Sequence, residues 1–355
     1  QVVPQAVTAM RYFYEELPEL HVIAAGSLLD FTLEHVGMPV GRVESLYMYP
    51  LSFLEFLVAM GGGRLAAFIG AHNPVAPLSE ALHVKALSFL GQYLAVGGMP
   101  FAVTQWAQEQ NTQRIMRLHQ DQLDSYRQDF GKYARTKQVR FVELVFDQVP
   151  QQLGRKFKYS LIDGDYRKRE LAPALDLLST AGVAHKIYAA TAAGVPLRAT
   201  IDVTDYKALF LDVGLAQTVM GGDVRGWFLS PEAEVINKGA LVEAFVGQEL
   251  LAYAPSHQRE VLCYWHKEGR SGTAEIDYVI QKDGLIVPIE VKAGAGSTLK
   301  SLRAFIEARG SVHGVRFSTH NYSVHEKVLT VPFYAIAAYL SGFSVINRYP
   351  GLFEE

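Results

Sequence analysis

The sequence predicts a multidomain protein that mixes α/β and α+β architecture, and three observations carry that expectation. An amphipathic helix followed by an apolar strand opens the chain. Helices followed by a β-ribbon occupy its middle. A long helix, a hairpin, a further helix and a further strand succeed one another toward its end.

Taken in order, the pattern divides into four regions. Residues 1–61 begin with "PQAVTAMRYFYEEL", whose apolar residues recur at helical spacing. "HVIAAGS" then reads as a buried strand, and "YPLSFLEFLVAM" follows a turn. A single strand makes no sheet, so this region reads as the tail of an α/β domain. Residues 62–146 are helical, with "SEALHVKALSFLGQYLAVGG" and "NTQRIMRLHQDQLDSYRQDFGKYA" ending near glycines. Residues 147–222 read helix, turn, helix ("YRKRELAPALDLLSTAGV"), then "HKIYAATAAGVPLRATID" as two strands about a Gly-Val-Pro turn. That is the order of a winged helix-turn-helix. Pro173 is expected to kink the second helix or delay its start. Residues 232–355 are α/β. "PEAEVINKGALVEAFVGQELLAY" reads as one long helix, followed by the strand "VLCYWHKEG", a hairpin, the helix "STLKSLRAFIEARG" and the strand "GVRFS".

Composition narrows the function classes. Apolar residues make up 49% and charged residues 19% of the 355, as in soluble globular chains. A net charge of -3 gives no global attraction to nucleic acid or to an anionic membrane, so any such binding rests on local patches. One cysteine, Cys263, rules out an internal disulfide framework and fits a cytoplasmic location. No signal peptide is evident. The longest apolar run, "VLTVPFYAIAAYLSGFSVI", is broken by Pro332, Ser341, Gly342 and Ser344. It reads as a core strand and a core helix, and no membrane partner is expected.

The segment "GTAEIDYVIQKDGLIVPIEVKAG" raises the sharpest question, because apolar strands carry Glu275, Asp277, Glu290 and Lys292. Asp283-Gly284 signals a two-residue type I′ turn. With that turn Asp277 faces Glu290 and Glu275 faces Lys292, while Ile276, Tyr278, Ile280, Val287, Ile289 and Val291 form an apolar core face. Opposed Cβ atoms lie roughly 4.5–5.5 Å apart, where like charges repel. A proton, a cationic neighbour or a metal ion must offset that repulsion. Mg²⁺ takes such oxygen ligands, one or two carboxylates at a time. A lysine beside it can orient water or stabilise charge developing on a phosphate. The pattern also fits a solvated sheet face with a Glu275–Lys292 ion pair, and a three-residue loop would shift the register and part the carboxylates.

"EID…PIEVK" resembles the acidic-strand and E-x-K motif of the PD-(D/E)xK nuclease superfamily, in which a preceding helix often adds a glutamate as K-G-x-x-x-E. "KGALVE", Lys238 to Glu243, stands at that place. The resemblance implies a catalytic set of Glu243, Asp277, Glu290 and Lys292, with Asp277, Glu290 and Glu243 as Mg²⁺ ligands. Glu249 is a weaker substitute for Glu243, since it projects from a different side of the helix. "PELHVIAAGSLLDF", "VGRVESLYMYPLSFLEF", "YLAVGGMP", "YKALFLDVGLAQ" and "KGALVEAFVGQEL" resemble a prokaryotic family of AAA-type ATPases that carries a C-terminal PD-(D/E)xK-like domain of unknown function. By that resemblance Ser27 holds the position that senses the γ-phosphate. Arg42 lies near the nucleotide or acts as a finger to a neighbouring subunit. Residues 1–61 would then be the remnant of an AAA-type α/β ATPase domain. The phosphate loop G-x-x-x-x-G-K-[S/T] and the acidic Walker B pair are missing from this sequence, and "FGKYARTK" lacks the upstream glycine. ATP is therefore expected as a cofactor only with the missing N-terminal portion, and this chain alone is not expected to hydrolyse it.

Within the winged-helix candidate, Arg155, Lys156, Lys158, Arg167, Lys168 and Arg169 form a basic group suited to DNA phosphates. Asp163, Asp165 and Glu170 dilute it, and a solvated helix face explains it equally. The eleven histidines and Cys263 show no zinc spacing, and His313, His320 and His325 read as surface residues. No acyl-transfer nucleophile motif is present. Three functions compete. The first is a DNA-associated, Mg²⁺-dependent nuclease-like protein. The second is a non-catalytic nucleic-acid or protein-binding module that assembles with itself or a partner, using the apolar region Leu46 to Met60. The third is an ATP-driven switch or motor in the full-length protein only.

Overall fold

The computed structural model describes residues 5–26, 41–132, 134, 136–267, 274–292 and 299–342. Helix α1 (Gln5–Glu16) forms as its amphipathic pattern predicts. The apolar stretch 21–26 does not form the expected strand: it is irregular and exposed, with Ile23 97% accessible. An extended segment needs a neighbouring backbone to satisfy its polar groups, and among the described residues every strand belongs to a sheet elsewhere.

That sheet has eight strands: β1 (Ala184–Ala190), β2 (Ile201–Phe210), β3 (Leu262–His266), β4 (Glu275–Lys282), β5 (Leu285–Val291), β6 (Gly314–Ser318), β7 (Ser323–His325) and β8 (Val328–Pro332). Its order is β2-β1-β3-β4-β5-β6-β8-β7, with parallel pairs at β1/β3, β5/β6 and β6/β8. The β1–β2 ribbon, expected as a wing, therefore continues the same sheet as the 275–291 hairpin. Its inner edge is apolar, and Ile187 and Ala189 pair with Leu262 and Tyr264, so joining the sheet buries them.

The helical layer comprises α2 (Phe53–Ala59), α3 (Gly63–Ala71), α4 (Glu80–Val96), α5 (Pro100–Glu109), α6 (Thr112–Asp129), α7 (Thr136–Gln151) and α8 (Lys168–Thr180). It continues through α9 (Val213–Val219), α10 (Gly226–Leu229), α11 (Pro231–Asn237) and α12 (Gly239–Ala252), whereas α13 (Lys300–Arg309) belongs to the smaller core, and α14 (Ile336–Gly342) returns to the larger one. Helix α7 runs across the expected boundary at 146/147. Pro173 does not delay α8, which begins at Lys168 and continues through it. The long helix expected over 231–253 is two helices broken at Lys238, whose φ of −109° and ψ of 43° leave the helical region.

Two cores sandwich the sheet. The larger one joins the helical layer and α12 to one face. The smaller one packs Leu302, Phe305 and Ile306 of α13 on Cys263, Trp265, Ile276 and Val279. Fully burying each such side chain contributes roughly 1.5–3 kcal/mol.

The 275–291 hairpin has the turn its sequence predicts. Asp283 and Gly284 both take positive φ, 52° and 77°. The register runs from Lys282↔Leu285 to Tyr278↔Ile289. Two expectations fail. The ladder stops at Tyr278↔Ile289, so the expected Asp277–Glu290, Ile276–Val291 and Glu275–Lys292 pairs are not part of it, and Glu275 pairs with Lys207 instead. The β3–β4 ladder pairs Cys263 with Val279 but Trp265 with Ile276, so the two residues Asp277 and Tyr278 of β4 stand opposite the single residue Tyr264. Ile276 is thereby turned to the α13 side, while Tyr278 packs in the larger core. His313 is also buried rather than on the surface. Burial lowers its pKa to about 4.

Candidate functional site

Helix α12 is apolar almost all round, with Leu241, Val242, Phe245, Val246, Leu250 and Leu251 buried. Such a helix packs on more than one side. It approaches β4 closely because residue 247 is glycine: a Cβ there would stand 2.4 Å from the Tyr278 Oη. The Tyr278 hydroxyl donates to the Glu243 carbonyl at 2.8 Å and ties the start of α12 to the sheet.

Glu243 meets Lys207 of β2, whose Nζ donates to its Oε1 at 2.9 Å. Lys207 also pairs with Glu275 Oε1 at 2.6 Å and lies 5.1 Å from the centre of the Tyr264 ring. Asp277 sits at the β4 bulge, where its Oδ2 accepts the Val291 N–H at 2.8 Å. The side chain thus takes up an amide of the neighbouring strand beyond the Tyr278↔Ile289 pair. Glu290 is 4% exposed. Its Oε1 lies 3.1 Å from the Lys292 ammonium, while its buried Oε2 has no hydrogen-bond partner. An orphaned carboxylate oxygen in a buried position is costly and calls for a ligand or a proton.

The electrostatics follow from this crowding. Burial, then the nearby Asp277, pushes Glu243 up to about 7 against the pull of Lys207. Burial and Asp277 likewise push Glu290 up to about 7, opposed by Lys292. Asp277 is raised by burial, with Lys207 and the Val291 amide opposing. Burial disfavours the charge on Lys292, yet Glu290 and Asp277 hold its ammonium above the usual range.

The polar surface continues across the sheet. Asp205 of β2 accepts from the Tyr264 hydroxyl at 2.6 Å and from Lys156 Nζ at 2.6 Å, and pairs with His266 Nε2 at 3.1 Å. Burial works against its charge, but Lys156 and Tyr264 keep its carboxyl below the usual range. His266 stacks on Tyr264 and stands opposite Glu275 in the β3–β4 ladder. The two groups of charges are therefore neighbours on one face.

The structure brings Glu243, Asp277, Glu290 and Lys292 together. Ser27 lies outside the described residues. The Arg42 Nε donates to Glu15 at 2.7 Å within the chain. Arg155, Lys156, Lys158, Arg167, Lys168 and Arg169 are all exposed, and only Lys156 of the six reaches the site, through Asp205. Its strand-like bridge to Lys207 and the Phe157 N–H bond to Tyr206 O (2.9 Å) lay that segment beside β2. Sequence reasoning missed Lys207, Asp205, Tyr264 and His266. The available signal was "DYKALF", a strand with charges at alternate positions before an apolar run.

Among the described residues no group of three or more His, Cys, Asp or Glu side chains is placed to hold a metal ion. Glu243 and Glu275 are engaged by Lys207, which leaves Asp277 and the orphaned Glu290 oxygen as the donors that suit a hard cation. No helix among the described residues is long and apolar enough to cross a membrane.

Three family profiles match parts of the chain. An AAA domain covers residues 1–57, a domain of unknown function (DUF8612) covers 88–225, and another (DUF4143) covers 238–336. No curated protein and no solved structure matches the chain. The AAA-domain match and the DUF4143 match together support an AAA-type ATPase-like family.

Proposed function

We propose that the C-terminal half carries a Mg²⁺-dependent, PD-(D/E)xK nuclease-like site acting on DNA. The observation that carries this reading is Glu290: buried, beside Asp277 and Lys292, with one carboxylate oxygen unpaired. Asp277 and Glu290 would hold the metal, with Glu243 behind them. When bound, Mg²⁺ supplies charge neutralisation at a phosphate and a more acidic water. The chain's own residues do the rest. Lys292, half-exposed at the rim, offers a positive charge to a phosphate oxygen. The bulge at Asp277 fixes its carboxylate by the Val291 amide, so it needs little reorganisation. Lys156, exposed on the same face, extends positive charge toward the flanking backbone of a nucleic acid.

Plasmid incubated with the chain and Mg²⁺ or Mn²⁺ tests the reading. Cleavage is expected, and Asp277→Ala should lower it about a hundred-fold or more. Undiminished cleavage by that variant removes these residues from the reaction.

A second reading, assembly with a protein partner or another copy, is favoured by the exposure of Ile23, Leu46 and Met48 at 97%, 68% and 94%, although Phe53, Phe56 and Leu57 of the expected 46–60 interface are buried in the chain's own core. Light scattering that shows only monomer, together with DNA cleavage, rejects it.

A further inference from the structure

Lys207 is the feature that the nuclease motif does not account for. Its side chain is 1% exposed, and it reaches from β2 under the Tyr264 ring to Glu243 and Glu275. Burying an ammonium is expensive even when it is paired, and an apolar side chain of similar length would fill such a position at lower desolvation cost. The retained charge therefore serves its neighbours. Those neighbours are two carboxylates, Glu243 and Glu275, held 2.9 and 2.6 Å from the one ammonium. Lys292 meets Glu290, and Lys207 meets Glu243 and Glu275. Among the described residues, Glu290 Oε2 is the buried carboxylate oxygen left over.

We propose that Lys207 is the resident counter-cation of this site: its ammonium pairs with Glu243 and Glu275, so that these two carboxylates are taken up and divalent-ion binding is confined to the Asp277–Glu290 pair. Lys207 is a positioning residue supplied by the β1–β2 ribbon, so the site is composite. The segment carrying "EID…PIEVK" holds the metal-facing carboxylates, and the strand some seventy residues earlier holds the charge that keeps them together. The inference rests on the site reading above but not on strand cleavage.

The test is Mn²⁺ alone, titrated into the whole chain by calorimetry, with thermal melts in parallel. Lys207→Met should bind Mn²⁺ about ten-fold tighter than the wild type or more, because a positive charge a few ångströms away is removed. Its metal-free melting temperature should drop and recover on adding Mn²⁺. Lys207→Arg, which keeps the charge, should leave the affinity within about three-fold of wild type. The double variant Lys207→Met/Glu243→Gln, which deletes the ammonium with its carboxylate, should lose most of the gain. Unchanged or weaker Mn²⁺ binding by Lys207→Met overturns the proposal, as does absence of binding from both proteins. Should Lys207→Met fail to fold without metal, refolding in Mn²⁺ is expected to restore a cooperative melt, and its failure to do so also overturns the proposal. A chain that behaves as described yet cuts no DNA would sink the nuclease reading while leaving the counter-cation in place.

Discussion

Two buried polar clusters lie against helix α12, and they are built in opposite ways. One gathers Tyr93, Asp212, Gln217, Trp227 and Gln248. Asp212 accepts from the Gly98, Gly214 and Leu215 amides at 2.7, 2.9 and 3.0 Å. Gln248 accepts from Val213 N–H and donates to the Tyr93 hydroxyl, which donates to Leu51 O. Gln217 takes the Trp227 indole N–H and donates to Leu94 O. None of these five side chains has a buried atom without a partner. The other cluster, around Asp277, leaves Glu290 Oε2 orphaned and pushes two carboxyls to about 7. A satisfied network holds a fold together, whereas a cluster that stays crowded and incomplete is poised for a ligand. The motifs "YLAVGGMP", "LDVGLAQ" and "VGQEL" all belong to the satisfied network. Their glycines are steric: a Cβ on Gly97 would stand 2.2 Å from Asp212 Oδ1, and one on Gly98 2.2 Å from Leu51 O.

Breaking the satisfied cluster should have the largest effect. Asp212→Ala strands three buried amides, each costing about 1–3 kcal/mol, so a loss of roughly 3–6 kcal/mol is expected in urea denaturation. A loss below about 1 kcal/mol would mean that this network is not what joins the helical layer to α12.

Glu249 gives the next largest effect, and it depends on pH. The carboxyl is 1% exposed and accepts the Phe53 N–H at the start of α2, yet burial pushes it up to about 8 from an ordinary value of 4.5. Between those values the folded chain keeps a proton that the unfolded chain releases. Stability is therefore full below about 4.5 and falls as pH rises toward 8. Glu249→Gln keeps the acceptor and has no proton to lose. It should match the wild type at pH 4 and exceed it by roughly 2–4 kcal/mol at pH 8. Parallel pH profiles for the two proteins would contradict the assignment.

The contrast also explains what was legible in the sequence. The hairpin was legible because Asp283-Gly284 sets a local register, which holds as far as Tyr278↔Ile289 and stops short of the expected Asp277–Glu290 and Glu275–Lys292 pairs. Glu243 was legible only through the resemblance of "KGALVE" to the nuclease superfamily's helix motif. Lys207, Asp205 and His266 were not, because they join the site through pairing between strands far apart in sequence, and alternate charges in "DYKALF" look like any half-exposed strand. The bulge that turns Ile276 toward α13 leaves no composition signal. Residues 21–26 look like a strand by apolarity alone, but a strand exists only where a partner backbone meets it.

Glu290→Gln tests the central contrast most directly, because both readouts come from one protein. It removes a carboxylate from the crowded cluster while keeping its shape. The expected result is a gain of about 0.5–2 kcal/mol in unfolding free energy at pH 7, together with loss of Mg²⁺-dependent plasmid cleavage. A variant that is destabilised like Asp212→Ala, and that cuts DNA as the wild type does, would show that this cluster too is only part of the scaffold.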